Sequence, residues 1–98
     1  MLKILITDPL SNRGIDTLTA SEFEVIYKPN SSRDELLSFV GNIDGWIIRS
    51  GTKINKELLD EAKKLQIIGR AGVGIDNIDI DSATKRGIIV MNVPDGNT

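Results

Sequence analysis

At 98 residues the chain can build one hydrophobic core, burying roughly 60 to 65% of the surface its unfolded form would expose, and is too short for two. Its hydrophobic fraction of 40%, charged fraction of 27% and net charge of -2 exclude a disordered or nucleic-acid-coating protein, so affinity for anions must come from a few placed residues. With no cysteine and no histidine, the chain offers no disulfide, no thiolate metal site, no thiol nucleophile and no imidazole for proton transfer near neutral pH.

A reducing cytoplasm is the expected compartment. The opening "MLKILITDPL" has an apolar run of only three residues, Ile4 to Ile6, before Thr7 and Asp8, too short for the core of a signal peptide. No stretch approaches the roughly 18 apolar residues of a membrane span. Neither nucleic acid nor a membrane is an expected partner.

Five strand-length apolar runs rich in Ile and Val recur along the chain, at 2–7, 23–27, 45–49, 65–69 and 88–93. After the first, residues 11–20 give a weak helical signal, with Ile15 and Leu18 as the clear inward pair. After the second, "SSRDELLSFV" offers Ser32 as N-cap with Glu35 three residues on, a capping box ahead of Leu36, Leu37 and Val40. After the third, "INKELLDEAKKL" sets Leu58, Leu59, Ala62 and Leu65 on one helical face, with Asp60 and Lys64 spaced for an i,i+4 pair. After the fourth, "NIDIDSATKRG" begins at Asp79 as N-cap and stops at Gly87, with Lys85 and Arg86 in the last turn. Trp46 and Phe39 are expected in the core.

Strand and helix thus alternate throughout. Strands apolar at consecutive positions are covered on both faces, so the expected fold is α/β: a flavodoxin-like open five-stranded parallel sheet with helices on both faces. Such sheets bind ligands at the carboxyl ends of their strands. That rule selects Asp8 and Pro9, Pro29 and Asn30, Arg49 to Gly51, Gly69 to Asn77, and Asn92 to Thr98. The last of these, "NVPDGNT", is not followed by the fifth helix that the alternation leads one to expect, so the sequence reads as cut from something longer.

The glycine-rich "GRAGVGIDN" invites comparison with a dinucleotide fingerprint. It supplies only Gly72 and Gly74, with Asn77 in the third glycine's place, and it follows the fourth strand rather than the first. No Gly-Lys-Ser/Thr follows, so it is no P-loop. The two glycines could merely turn a corner. Arg70, however, ends the fourth strand much as Arg49 ends the third, and two rim arginines beside bare glycine amides suit a small anion, because guanidinium forks fit carboxylate and phosphate. Asp8 reads as a turn-former before Pro9. As part of a phospho-acceptor receiver it would need an acid after the third strand, where Arg49 and Ser50 stand instead. Asp79 and Asp81 are helix-start residues, and no metal site is expected.

The strings "IIRSGTKIN" at 47–55 and "IIGRAGVGIDNIDIDSATKRGIIVMNVPDGNT" at 67–98 resemble the D-isomer-specific 2-hydroxyacid dehydrogenase family, and within it the members that act on 3-phosphoglycerate. The resemblance extends over essentially the whole chain. It implies that residues 1–98 are the amino-terminal segment of a substrate-binding domain. The NAD-binding Rossmann domain, with its glycine fingerprint and its catalytic histidine, arginine and glutamate, would be absent from this chain. No catalytic residue is then expected here, and the fragment alone should be inactive.

By position, Arg49 and Ser50 are similar to the family's substrate-anion contacts and Arg70 to a second one. Gly72, Val73 and Gly74 resemble the loop whose amides meet the substrate carboxylate, with Val73 also facing the nicotinamide. Asp76 and Asn77 would fix this loop, and Asn97 would line the cofactor cleft. The implied reaction is hydride transfer from 3-phosphoglycerate to NAD, giving 3-phosphohydroxypyruvate on the way to serine, in a parent enzyme that is a homo-oligomer. The same family would also fit glycerate, glyoxylate or lactate, and a non-catalytic receiver-like module is the reading of a different class.

Overall fold

The computed structural model describes residues 2–9, 16, 22–71 and 77–93. In chain order these form β1 (Lys3–Ile6), β2 (Glu24–Tyr27), α1 (Arg33–Phe39), a 3-10 turn (Val40–Asn42), β3 (Gly45–Ile48), α2 (Lys56–Glu61), β4 (Ile67–Ala71), α3 (Ile80–Lys85) and β5 (Ile89–Val93). All five strands pair in parallel in the order β2-β1-β3-β4-β5, the flavodoxin-like arrangement expected from the alternation. The order turns back between β1 and β3, the point at whose carboxyl ends sheets of this kind place their ligands. Apart from Asp16, the weak helix over 11–20 lies outside the described residues.

Register separates the two sheet faces. Leu5, Trp46, Ile68 and Val90 stand in one row across β1, β3, β4 and β5. Leu5, Trp46 and Ile68 form the core with Leu36, Leu58, Leu59 and Ala83 from the three described helices, and Val90 packs against it. In the adjoining row Ile4, Gly45, Ile67 and Ile89 align. Here Ile4 is buried at β1, whereas at β5 Ile89 is 62% and Met91 43% exposed. Trp46 is fully buried, as expected, and Phe39 packs partly buried against the core.

The local signals at helix ends hold. Ser32 caps α1, its hydroxyl accepting from the Glu35 amide while the Glu35 carboxylate accepts from the Ser32 amide; that amide first, and the Ser32 hydroxyl second, hold the Glu35 carboxyl below the usual carboxylate range. Asp79 caps α3 by accepting from the Ser82 amide. That helix ends on Gly87 at φ +73. There Gly87 N–H donates to the Thr84 carbonyl and Ile88 N–H to the Ala83 carbonyl, a Schellman closure that requires a left-handed residue at this point.

One pairing differs from expectation. The helix α2 ends at Glu61, and Ala62 has already left helical geometry at ψ 66. Lys64 therefore lies beyond the helix, and Asp60 pairs instead with Lys56 one turn earlier and with Arg86 after α3. Leu65 still reaches the core, through the turn at 63–64 rather than along a helical stripe.

Candidate functional site

At the carboxyl ends of β1, β3 and β4 the structure gathers polar side chains that are buried rather than solvated. Thr7, Asp8, Thr52 and Arg70 are 2%, 6%, 7% and 7% exposed. Buried polar atoms must find partners, and here Thr7 and Thr52 find each other, Asp8 the loop backbone and Arg70 the side chain of Asn77. Trp46 Nε1–H donates to Thr7 Oγ1 at 2.9 Å, and that hydroxyl lies 2.9 Å from Thr52 Oγ1. The tryptophan in the middle of the sheet is thereby wired to the rim.

The loop after β3 carries the predicted Arg49 and Ser50, both exposed. Its backbone is gripped from two sides. One carboxylate oxygen of Asp8 accepts from the Arg49 amide at 2.7 Å and the Thr52 amide at 2.9 Å. The side-chain amide of Asn77 donates to the Arg49 carbonyl at 2.7 Å and the Thr52 carbonyl at 2.6 Å. Asn77 Oδ1 in turn accepts from Arg70 Nε at 2.7 Å, so all three bonds agree with the donors and acceptors of one amide orientation. A backbone bridge supports the contact: Ile54 N–H donates to the Asn77 carbonyl and Asp79 N–H to the Ile54 carbonyl, at 2.9 and 2.8 Å.

Arg49 and Arg70 are close on the rim, yet they are not equivalent. The register partner of Arg70 is Ile48, not Arg49, which offsets the two arginines by one residue. Arg70 shares the helix-covered face with Ile68 and is held by Asn77, while Arg49 stands exposed past the strand end. Of the other predicted positions, Asn77 is expected to fix the loop at 72–74, and the bonds its side chain makes here are to Arg70 and to the Arg49–Thr52 loop. Gly72, Val73, Gly74, Asp76 and Asn97 lie outside the described residues.

Sequence reasoning gave Asp8 only a turn before Pro9. The structure gives its carboxylate long-range partners more than 40 residues away. It also brings in Gly51, where an added Cβ would lie 2.7 Å from Asp8 Oδ1. A cleft of roughly 350 Å³ beside this loop is lined in part by Asp8, Asn30, Arg33, Thr52 and Lys53. The signal that could have found Asp8 was its place at the end of a strand flanking the point where the sheet order reverses.

Among the described residues no cluster of three potential metal ligands occurs, and none of their helices is long and apolar enough to cross a membrane. The described residues do not by themselves fit a dinucleotide. They present an arginine rim and a clamped loop, without a glycine turn opening a helix. Chemically, the rim can hold and orient a small anion.

Comparison with known proteins agrees with this architecture. The family model for the D-isomer specific 2-hydroxyacid dehydrogenase catalytic domain matches residues 4–98. The chain is 47% identical over 97 residues to D-3-phosphoglycerate dehydrogenase of Archaeoglobus fulgidus, covering 99% of this chain and 18% of that protein. It is 46% identical over 100 residues to the Bacillus subtilis protein of the same name, again covering 18% of the relative. Among solved structures, the NAD+-bound 3-phosphoglycerate dehydrogenase of Entamoeba histolytica superimposes with a TM-score of 0.84 at 31% identity, over 95% of this chain and 33% of the other. The chain thus spans about a fifth of the length of the curated relatives it matches.

Proposed function

The chain belongs to the D-isomer specific 2-hydroxyacid dehydrogenase family, and from that premise we propose that it forms the substrate-holding rim of an NAD-dependent enzyme that oxidises 3-phosphoglycerate to 3-phosphohydroxypyruvate, a step toward serine. Identity near 47% to proteins named for that substrate supports the choice. The observation that carries it is the Asn77 bridge, which ties the Arg70 guanidinium and the Arg49 backbone into one unit. A substrate with both a carboxylate and a phosphate needs two cationic groups at a set separation, and guanidinium is the side chain that can bind either group bidentately.

Oxidation removes a hydride from the 2-carbon and a proton from its hydroxyl. NAD supplies the hydride acceptor, held mainly by residues outside this stretch. With no histidine in the 98 residues, the proton goes to a group outside it as well. The work left to this chain is binding and orientation: Arg49 and Ser50 meet one anionic end of the substrate, Arg70 orients the other, and Val73, the flanking glycines and Asn97 complete the cleft. Holding a reactant in register contributes to rate by removing the entropy of alignment from the barrier.

Steady-state rates of the full-length protein with NAD test this reading. 3-Phosphoglycerate should be preferred over glycerate and lactate, and in the reverse direction phosphohydroxypyruvate over glyoxylate. Arg49→Ala should lower kcat/KM for the phosphorylated acid by roughly a hundredfold, the loss of a charge-assisted bidentate contact, and change the unphosphorylated acids less. Equal loss on both kinds of acid would remove Arg49 from phosphate recognition. The 98-residue chain alone should show no turnover.

A further inference from the structure

We propose that Asp8 is a positioning residue for substrate binding, acting through the backbone of the Arg49–Thr52 loop; this rests on the reading of that loop as the anion rim. Within the loop, residues 49 and 52 each present an amide and a carbonyl. All four groups are taken by two side chains, the amides by Asp8 and the carbonyls by Asn77. The chain therefore enters and leaves the loop at fixed points, and only Ser50 and Gly51 are left between the two clamped residues.

The carboxylate is itself immobilised. Asp8 is 6% exposed, and its neighbour Thr7 is tied to Trp46 and to Thr52. On the loop side, Gly51 packs against the second carboxylate oxygen so closely that a Cβ would lie 2.7 Å from Oδ1 and 3.4 Å from Cγ. Glycine at 51 and aspartate at 8 are thus one fitted pair, 43 positions apart in the sequence (51 − 8). Two N–H groups converging on one carboxylate oxygen are charge-assisted bonds, stronger than the neutral bonds of an ordinary turn. A carboxylate sited next to an anion rim would weaken it through space. Here its charge is spent on the two backbone amides, and what it transmits to the rim is geometry.

The test uses the full-length protein with NAD and 3-phosphoglycerate. Asp8→Ala should raise KM for the acid about tenfold, with KM for NAD within about twofold, because a displaced loop loses substrate contacts without touching the cofactor's own site. Asp8→Asn keeps an acceptor oxygen and should recover most of the affinity. Gly51→Ala should raise the same KM in the wild-type background but have little further effect in Asp8→Ala, where the added methyl has room; the two effects should be strongly non-additive.

A purely structural role would lower the unfolding midpoint and the amount of active enzyme while leaving KM unchanged, and that result overturns the proposal. Additive effects of the two substitutions overturn the fitted pair. If Asp8→Ala does not fold, Gly51→Ala carries the same KM readout. Absence of wild-type turnover on any 2-hydroxy acid would instead defeat the functional reading beneath the proposal, so the two failures are distinct.

Discussion

At the carboxyl ends of the strands, Thr7, Asp8, Thr52 and Arg70 are buried and joined by hydrogen bonds to Trp46, Asn77 and the loop backbone. Toward the amino ends, Asp60 in the last turn of α2 pairs with Lys56 one turn earlier and with Arg86 just past α3, through side chains 43%, 69% and 29% exposed. Both regions are polar, and the difference in burial changes what the polarity does. A buried donor or acceptor left unpaired costs about 1–3 kcal/mol, so a connected buried set admits one arrangement and rejects others. An exposed ion pair contributes about 0–1 kcal/mol and can rearrange freely. The carboxyl end therefore specifies a geometry, as a binding rim must, while the amino end maintains a solvated surface.

Breaking the first region should give the largest effect. Asn77→Ala removes three hydrogen bonds, one of them to a guanidinium, and should reduce stability by about 3 kcal/mol, read as a lower urea midpoint at unchanged m-value. An unchanged midpoint would mean that water replaces the amide and that the rim is not specified by burial. Trp46→Phe is milder. It keeps most of the buried ring but deletes the donor to Thr7, and about 1–2 kcal/mol should be lost. A loss as small as that of a surface change would show that the Thr7–Thr52 contact stands without its tryptophan donor.

Substitution at the amino end should sharpen the contrast from the other side. Asp60→Asn disrupts both of its pairs, yet the expected change is below about 1 kcal/mol and should shrink further in high salt. A loss comparable to that of Asn77→Ala would erase the distinction. The smallest effect concerns Glu35, which sits at the carboxyl end but is exposed. Its carboxyl is held below the usual carboxylate range, first by the Ser32 amide and then by the Ser32 hydroxyl. A depressed folded-state value means that its contribution is present above the carboxyl's unfolded-state value and is lost as the pH falls through the lower folded one. Glu35→Gln should flatten that part of the acid limb in a stability-versus-pH curve, and an identical limb would exclude the carboxylate from the cap.

Where sequence reasoning was right, the determining bonds are short in sequence. The capping box of Ser32 and Glu35, the Asp79 cap and the Gly87 stop each close within three to five residues, so residue type and spacing are enough to place them. The Asp60–Lys64 pair failed for a related reason. Spacing assumes that the helix continues, and α2 stops at Glu61 as the chain turns toward the next strand. Arg49 and Arg70 looked alike because each follows an apolar run, but a shift of one residue in strand register sends a side chain to the other face of the sheet.

By itself the sequence determined the alternation of strands and helices, the helix ends, the absence of histidine and thiol chemistry, and through its motifs the family. Only the tertiary structure decided that Asp8 would grip the Arg49–Thr52 loop, that Gly51 must lack a side chain to let it, and that Asn77 would hold Arg70 and the same loop together. These contacts depend on β1 lying beside β3 and β4 lying on its other side. Hydrophobic periodicity sets which residues become strands and carries no information about which strands become neighbours, so the rim's clamp exists only once the sheet has assembled.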